Sequence, residues 1–94
     1  MDFQHTTEGK QGQFYLESEG KKIALIAYQL GADNKIVIEH TEVDASLKGQ
    51  GVGQKLVQAV VALARSEKVK IMPLCPFAKA YLEKNRSEYG DVLV

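Results

Sequence analysis

Two side chains in this sequence combine reactive chemistry near neutral pH with a suggestive setting: Cys75 and His40. Cys75 lies in Pro73-Leu-Cys-Pro-Phe77, and a helix opening at Pro76 places it near the N-cap. Free N–H groups and the helix dipole there favour a thiolate, the form that accepts an acyl group. The competing readings are an inert buried cysteine, or one that only packs beside a bound cofactor. His40, in Glu39-His-Thr-Glu-Val43, is a candidate general base, with Glu42 to orient it or to act as base itself. The competing reading is a hydrogen-bonded structural histidine. His5 lies in a polar lead-in, outside this chemistry. Positions 5, 40 and 75 show none of the close pair spacing of zinc ligands, so no metal site is expected.

The third feature is Lys48-Gly-Gln-Gly-Val-Gly53, between a strand pattern and a helix pattern. Glycines let a backbone approach a ligand closely. The first N–H groups of a helix lack internal partners and favour a phosphate. Lys48 can add a full charge at the rim. An isolated Gly-x-Gly would be only a flexible loop, but strand, glycines and helix in this order predict an anion cradle. It is not a nucleotide P-loop, because Gln54-Lys55-Leu56 follows Gly53. Nor is it a dinucleotide fingerprint, because the glycine spacing and the strands before it are wrong.

The elements that must hold these residues are legible from period. Residues 13–18, 22–30 and 35–43 read as three strands joined by short turns at Gly20 and at Gly31–Asn34, an antiparallel meander. The second strand is apolar at both parities, which predicts a central position or cover on both faces. On the third, alternation puts His40 on one face with Ile38 and Glu42. From Val52 to about Glu67 the apolar spacing becomes helical. Residues 69–74 form a fourth strand, and a crossover helix makes it a parallel neighbour of the third. That brings His40 and Cys75 to one end of the sheet. A second helix runs from Pro76 to near Asn85, where Tyr81, Lys84 and Asn85 are minor candidates to line a channel. Glu83, Lys84, Arg86 and Glu88 read as solvated surface. Residues 1–12 read as a loose lead-in, and residues 88–94 as an edge strand or a segment tucked onto the core. The fold class is α/β in the α+β sense.

Lys48-Gly-Gln-Gly-Val-Gly53 resembles the Gln/Arg-x-x-Gly-x-Gly/Ala cofactor motif of the GNAT acetyltransferase superfamily, with Lys48 where Gln or Arg is usual. With Glu39–Val43 and Pro73–Asn85, the chain is similar to the very small single-domain GNAT-like proteins over residues 13–92. The resemblance implies transfer of an acetyl group from acetyl-CoA, the acyl donor, to an amine. It implies a pyrophosphate cradle at Lys48, Gly49, Gln50, Gly51, Val52, Gly53 and Gln54. It also implies a pantetheine arm along the strand ending at Val43, and a thioester end near Cys75. The strand–helix elements that shape an acceptor pocket in larger relatives are largely missing, so a coenzyme A-binding module with little turnover is the alternative.

Composition sets the outer limits. The chain has 94 residues, enough for one domain, with 12 basic and 12 acidic side chains. That balance offers no electrostatic reason to bind nucleic acid or an anionic membrane. A lone cysteine excludes an intramolecular disulfide, and no stretch reaches membrane-spanning length. Cytoplasmic residence, as monomer or homodimer, is the expectation.

Overall fold

The computed structural model describes residues 2–94. Five strands lie side by side in chain order: β1 (Gln4–Glu8), β2 (Gln11–Ser18), β3 (Lys21–Gly31), β4 (Lys35–Val43) and β5 (Lys70–Pro73). The first four are antiparallel, and β4 and β5 are parallel. The helix that makes this crossover is α1 (Val52–Glu67). It is followed beyond β5 by α2 (Pro76–Lys84) and the short α3 (Arg86–Tyr89).

Local chemistry explains each element. The β2–β3 hairpin turns at Glu19 and Gly20, with φ of +52° and +76°. Two positive φ values in succession match the twist of the flanking strands, and glycine adopts one without strain. Helix α1 buries Val52, Leu56, Val57, Val60, Val61 and Ala64, a single apolar stripe at helical spacing. Lys68 closes α1 in the left-handed region. Pro76 is the first residue of α2, where its missing N–H costs nothing.

One core forms where α1 and α2 cover Ala24, Ile26 and Tyr28 of β3, Ile36 and Ile38 of β4, and Ile71 of β5. The C-terminal segment completes it. Leu93 bridges to Ile71 in parallel, and Val92 and Leu93 are buried, so the segment both pairs and tucks in. Arg65 holds it by a bidentate contact to Asp91, with Nε and Nη2 each at 3.0 Å. Among the described residues, no helix is long and apolar enough to cross a membrane.

The lead-in departs from expectation, because Gln4–Glu8 is a paired strand. All five of its side chains are exposed, so no apolar alternation marks it. Ladder hydrogen bonds hold it, together with His5. That ring stacks on Phe14 at 4.1 Å between centroids, and its Nε2 lies 2.6 Å from the Tyr28 hydroxyl.

A second departure matters more. Tyr28 pairs with Ile38, but Ala27 pairs with His40, so Glu39 is an unpaired bulge residue. One extra residue reverses the side-chain alternation beyond it. Ile36 and Ile38 face the helices, and after the bulge Thr41 and Val43 do so, opposite Ile26 and Ala24. His40 and Glu42 face the other way. His40 therefore shares a face with Glu42 but not with Ile38.

Candidate functional site

Strands β4 and β5 stay together only from Lys35↔Lys70 to Ile38↔Pro73. Beyond that the Ile38 carbonyl accepts from both Leu74 N and Cys75 N, at 2.9 and 3.2 Å, and the strands part. β4 continues to Val43 with β3 alone as partner. A 3-10 turn, Ala45–Leu47, then leads to the glycine segment, held by Asp44 Oδ2 accepting from Ser46 N at 2.9 Å. That contact with Ser46 draws the Asp44 carboxyl below its usual range.

Helix α1 starts without a side-chain cap. Its N-cap is Gly51 in the left-handed region, at φ +69°, and Gly49 precedes it at φ +83°. The first helical bond runs from Lys55 N to Gly51 O at 3.1 Å. The N–H groups of Val52, Gly53 and Gln54 precede it and have no helical carbonyl to reach. A Cβ built at Gly49 or Gly51 would meet no atom within 4 Å, so the turn opens onto free space. At Gly53 a Cβ would come within 2.9 Å of the Phe77 ring.

This turn forms one wall of a groove of about 430 Å³. Val43, Leu47, Val52 and Phe77 give it an apolar side, and Lys48 and the uncapped helix start give it a cationic one. Its size lies in the range of small-molecule sites. A ligand with a diphosphate and a long, weakly polar arm fits such a lining. Seven of the eight predicted cofactor-binding positions line the groove: Val43, Lys48, Gly49, Gly51, Val52, Gly53 and Gln54. Gln50 does not.

Cys75 is the N-cap of α2 and is 5% exposed. Its Sγ donates to Thr41 Oγ1 at 3.5 Å. Burial alone pushes the thiol up. The Ala78 N–H, the Thr41 hydroxyl and the N–H groups of Phe77 and Thr41 outweigh it, and the thiol ends below its ordinary value.

A family model for the GCN5-related N-acetyl-transferase matches residues 13–92. The chain belongs to this family. It is 41% identical to a GCN5-like candidate N-acetyltransferase from Staphylococcus aureus, known from a solution structure. That match covers 97% of this chain and 87% of the other, at a TM-score of 0.76. The ribosomal-protein-S18-alanine N-acetyltransferase of Escherichia coli shares the fold at 19% identity and a TM-score of 0.66, over 84% of this chain and 54% of that enzyme. A candidate streptothricin acetyltransferase from Bacillus anthracis, crystallised with acetyl coenzyme A, does so at 20% and 0.61, over 81% and 46%. This chain thus spans about half the length of those two proteins. No curated protein matches the sequence.

Within this acetyltransferase, the structure does not bring His40 to Cys75. Both sit where β4 and β5 part, but the bulge turns His40 to the opposite face of the sheet. There its Nε2 lies 3.3 Å from Glu42 Oε2, with its side chain 55% exposed. Thr41 takes the place beside the thiol. Tyr81 and Asn85 also turn away from the groove. The Tyr81 hydroxyl accepts from Gln58 Nε2 at 2.8 Å and meets the Tyr89 hydroxyl at 3.1 Å, while Asn85 Nδ2 donates to the Tyr81 carbonyl. Glu83, Lys84, Arg86 and Glu88 are exposed, with Arg86 paired to Glu83. Thr41, Asp44, Ala45, Leu47 and Phe77 also line the site and were not among the predicted site residues. Phe77 had a signal, since the first turn of a helix opening at Pro76 must pass close to Cys75. Thr41 had none, because unbroken alternation points it away.

Proposed function

We propose that this acetyltransferase moves an acetyl group from acetyl-CoA to a primary amine, with Cys75 as its active-site thiol. The observation that carries the reading is the uncapped, glycine-lined start of α1 opening onto the groove. The N–H groups of Val52, Gly53 and Gln54 and the Lys48 ammonium would hold the pyrophosphate. Lys48, Gly49, Gln50 and Gly51 set the path of the backbone there. The pantetheine arm would run between Val43 and Phe77 toward the parting of the strands. Acetyl-CoA supplies the activated acyl carbon.

Backbone N–H groups and Thr41, which draw the thiol below its ordinary value, would support the Cys75 thiolate in place of a histidine. Its Sγ would form a bond to the acetyl carbon as the carbon–sulfur bond to coenzyme A breaks, and the coenzyme A thiolate leaves. The amine nitrogen would then form the amide bond as the Cys75 thioester breaks. The ammonium proton must be lost first, and His40, held by Glu42, is the candidate to accept it. Direct attack by the amine, with Cys75 only lining the site, is favoured by one fact: the thiol is 5% exposed.

Intact-mass measurement after exposure to acetyl-CoA tests the thiol. The covalent route predicts one added acetyl group that disappears in Cys75→Ala. Full amine turnover by Cys75→Ala would remove the covalent step and leave direct transfer.

A further inference from the structure

The groove and the thiol serve one proposed reaction, yet they do not meet. The groove lining reaches Thr41 and Phe77 and does not include Cys75, which is 5% exposed. Both of these lining residues bond to the sulfur, Thr41 by its hydroxyl at 3.5 Å and Phe77 by its N–H. The way from the groove to the thiol therefore runs between them. The Thr41 side chain is short and held at the sulfur, so the width of that passage depends on Phe77.

The Phe77 ring spans the starts of both helices. Phe77 is the second residue of α2, and Gly53 is the second residue of α1. A Cβ on Gly53 would lie 2.9 Å from Cζ of the ring, 3.1 Å from Cε2 and 3.7 Å from Cε1. The tip of the ring thus rests on the Gly53 backbone and joins the cradle to the helix that opens at the thiol. Two facts separate this ring from ordinary core packing. Phe77 is 44% exposed, whereas Ala78 and Leu82 on the same helix are fully buried. A ring left half in water forgoes much of the stabilisation that its burial would bring. The seat also excludes a side chain from α1. Gly53 is helical and lacks the positive φ of Gly49 and Gly51, so its backbone would accept alanine, a better helix former. The ring leaves no room for that methyl group.

We infer that Phe77 determines acyl-donor specificity: seated on Gly53, its ring narrows the passage to Cys75 so that a short acyl thioester passes and a long straight-chain one does not. The inference rests on the acetyl-transfer reading with Cys75 as the thiol, and it adds the residue that selects the donor. An acetyl group brings only a methyl beyond the thioester carbonyl. A hexanoyl group brings a chain that must lie against the ring or against Thr41, in the narrowest part of the site. Truncating Phe77 breaks the bridge between the helix starts and frees that space, whereas Thr41 keeps its place at the sulfur.

Cys75 is the sole cysteine, so its labelling reports the passage without any turnover. The full chain is treated with methyl and with hexyl methanethiosulfonate, which differ only in the alkyl tail, and the rates are referred to those of free cysteine. The unaltered chain is expected to favour the methyl reagent by about tenfold or more. Phe77→Ala should erase most of that preference, and Phe77→Leu, which keeps an apolar side chain without the ring, should fall between. Leu56→Ala is the control for a loosened structure, being fully buried in α1 and outside the groove. It should speed both reagents alike and leave their ratio unchanged. Coenzyme A release from acetyl-CoA and hexanoyl-CoA is then read with an amine acceptor, and Phe77→Ala should raise the hexanoyl-to-acetyl ratio of kcat/KM about tenfold or more. Thermal melts report that each variant is folded, and if Phe77→Ala is not, Phe77→Leu decides. An unaltered chain indifferent to tail length overturns the inference. So does a Phe77 variant that keeps the original ratios, or a Leu56→Ala that reproduces the change. Acetyl-CoA turnover without tail-length selection places the failure in Phe77. Tail-length selection in a chain that does not bind acetyl-CoA places it in the acetyl-transfer reading beneath.

Discussion

Gly51→Ala separates the cradle from the fold. Gly51 sits at φ +69°, and a Cβ there would touch nothing within 4 Å. Any stability loss therefore comes from backbone conformation, not from a clash. The left-handed region costs an L-residue about 1–2 kcal/mol. Losing the freedom of glycine in the unfolded chain returns about 0.4–1 kcal/mol. The net cost is about 1 kcal/mol, or a fall in Tm of about 4–8 °C for a domain of this size. If the residue relaxes from φ +69°, the N–H groups of Val52–Gln54 turn with it. One lost bond to a charged group is worth about 1.5–3 kcal/mol, which weakens coenzyme A about ten- to a hundredfold. Gly20→Ala is the control. It has φ +76°, equally open space, and a place in the β2–β3 hairpin away from the groove. It should show the same fall in Tm and unchanged affinity. Calorimetric titration with coenzyme A, alongside thermal melts, reads both quantities. If Gly51→Ala melts lower but binds coenzyme A like the unaltered chain, the helix start is not the pyrophosphate site.

Four further outcomes follow from the packing and the charges. Thr41→Val removes a hydroxyl from the Cys75 sulfur, so the pH profile of Cys75 alkylation should shift upward. The sign for stability follows from the same shift: with the thiol lowered in the folded state, its contribution is fully present above the ordinary thiol value and is lost as pH falls through the folded-state value. Denaturant unfolding should therefore show a rise across that window that Cys75→Ser abolishes. Leu56→Ala, at a fully buried position of α1, should cost about 2–5 kcal/mol and lower Tm by at least about 8 °C. A smaller fall would mean that the core can collapse around the cavity. Arg65→Ala frees Asp91 and the Glu88 carbonyl, so hydrogen exchange at Ile71 and Val94, which bond across this segment, should accelerate while coenzyme A affinity stays the same.

The sequence by itself determined the order of the elements and the place of the cradle. Apolar spacing in Val52–Glu67 can satisfy only a helix period, and the residues 22–30 and 35–43 pair as strands because turn residues separate them at hairpin distance. Lys48–Gly53 needed only local facts: glycines, a strand before and a helix after. Strand β1 was illegible because hydrogen bonds and one stacked histidine hold it, and neither leaves an apolar pattern. The bulge at Glu39 was hidden for a deeper reason. Alternation is a property of one strand, but register is a property of two, and an extra residue appears only when the partner is known. That one unpaired residue put Thr41 beside Cys75 and sent His40 to the far face. The chain thus names its reactive side chains in one dimension, and the pairing of β3 with β4 decides which of them can meet.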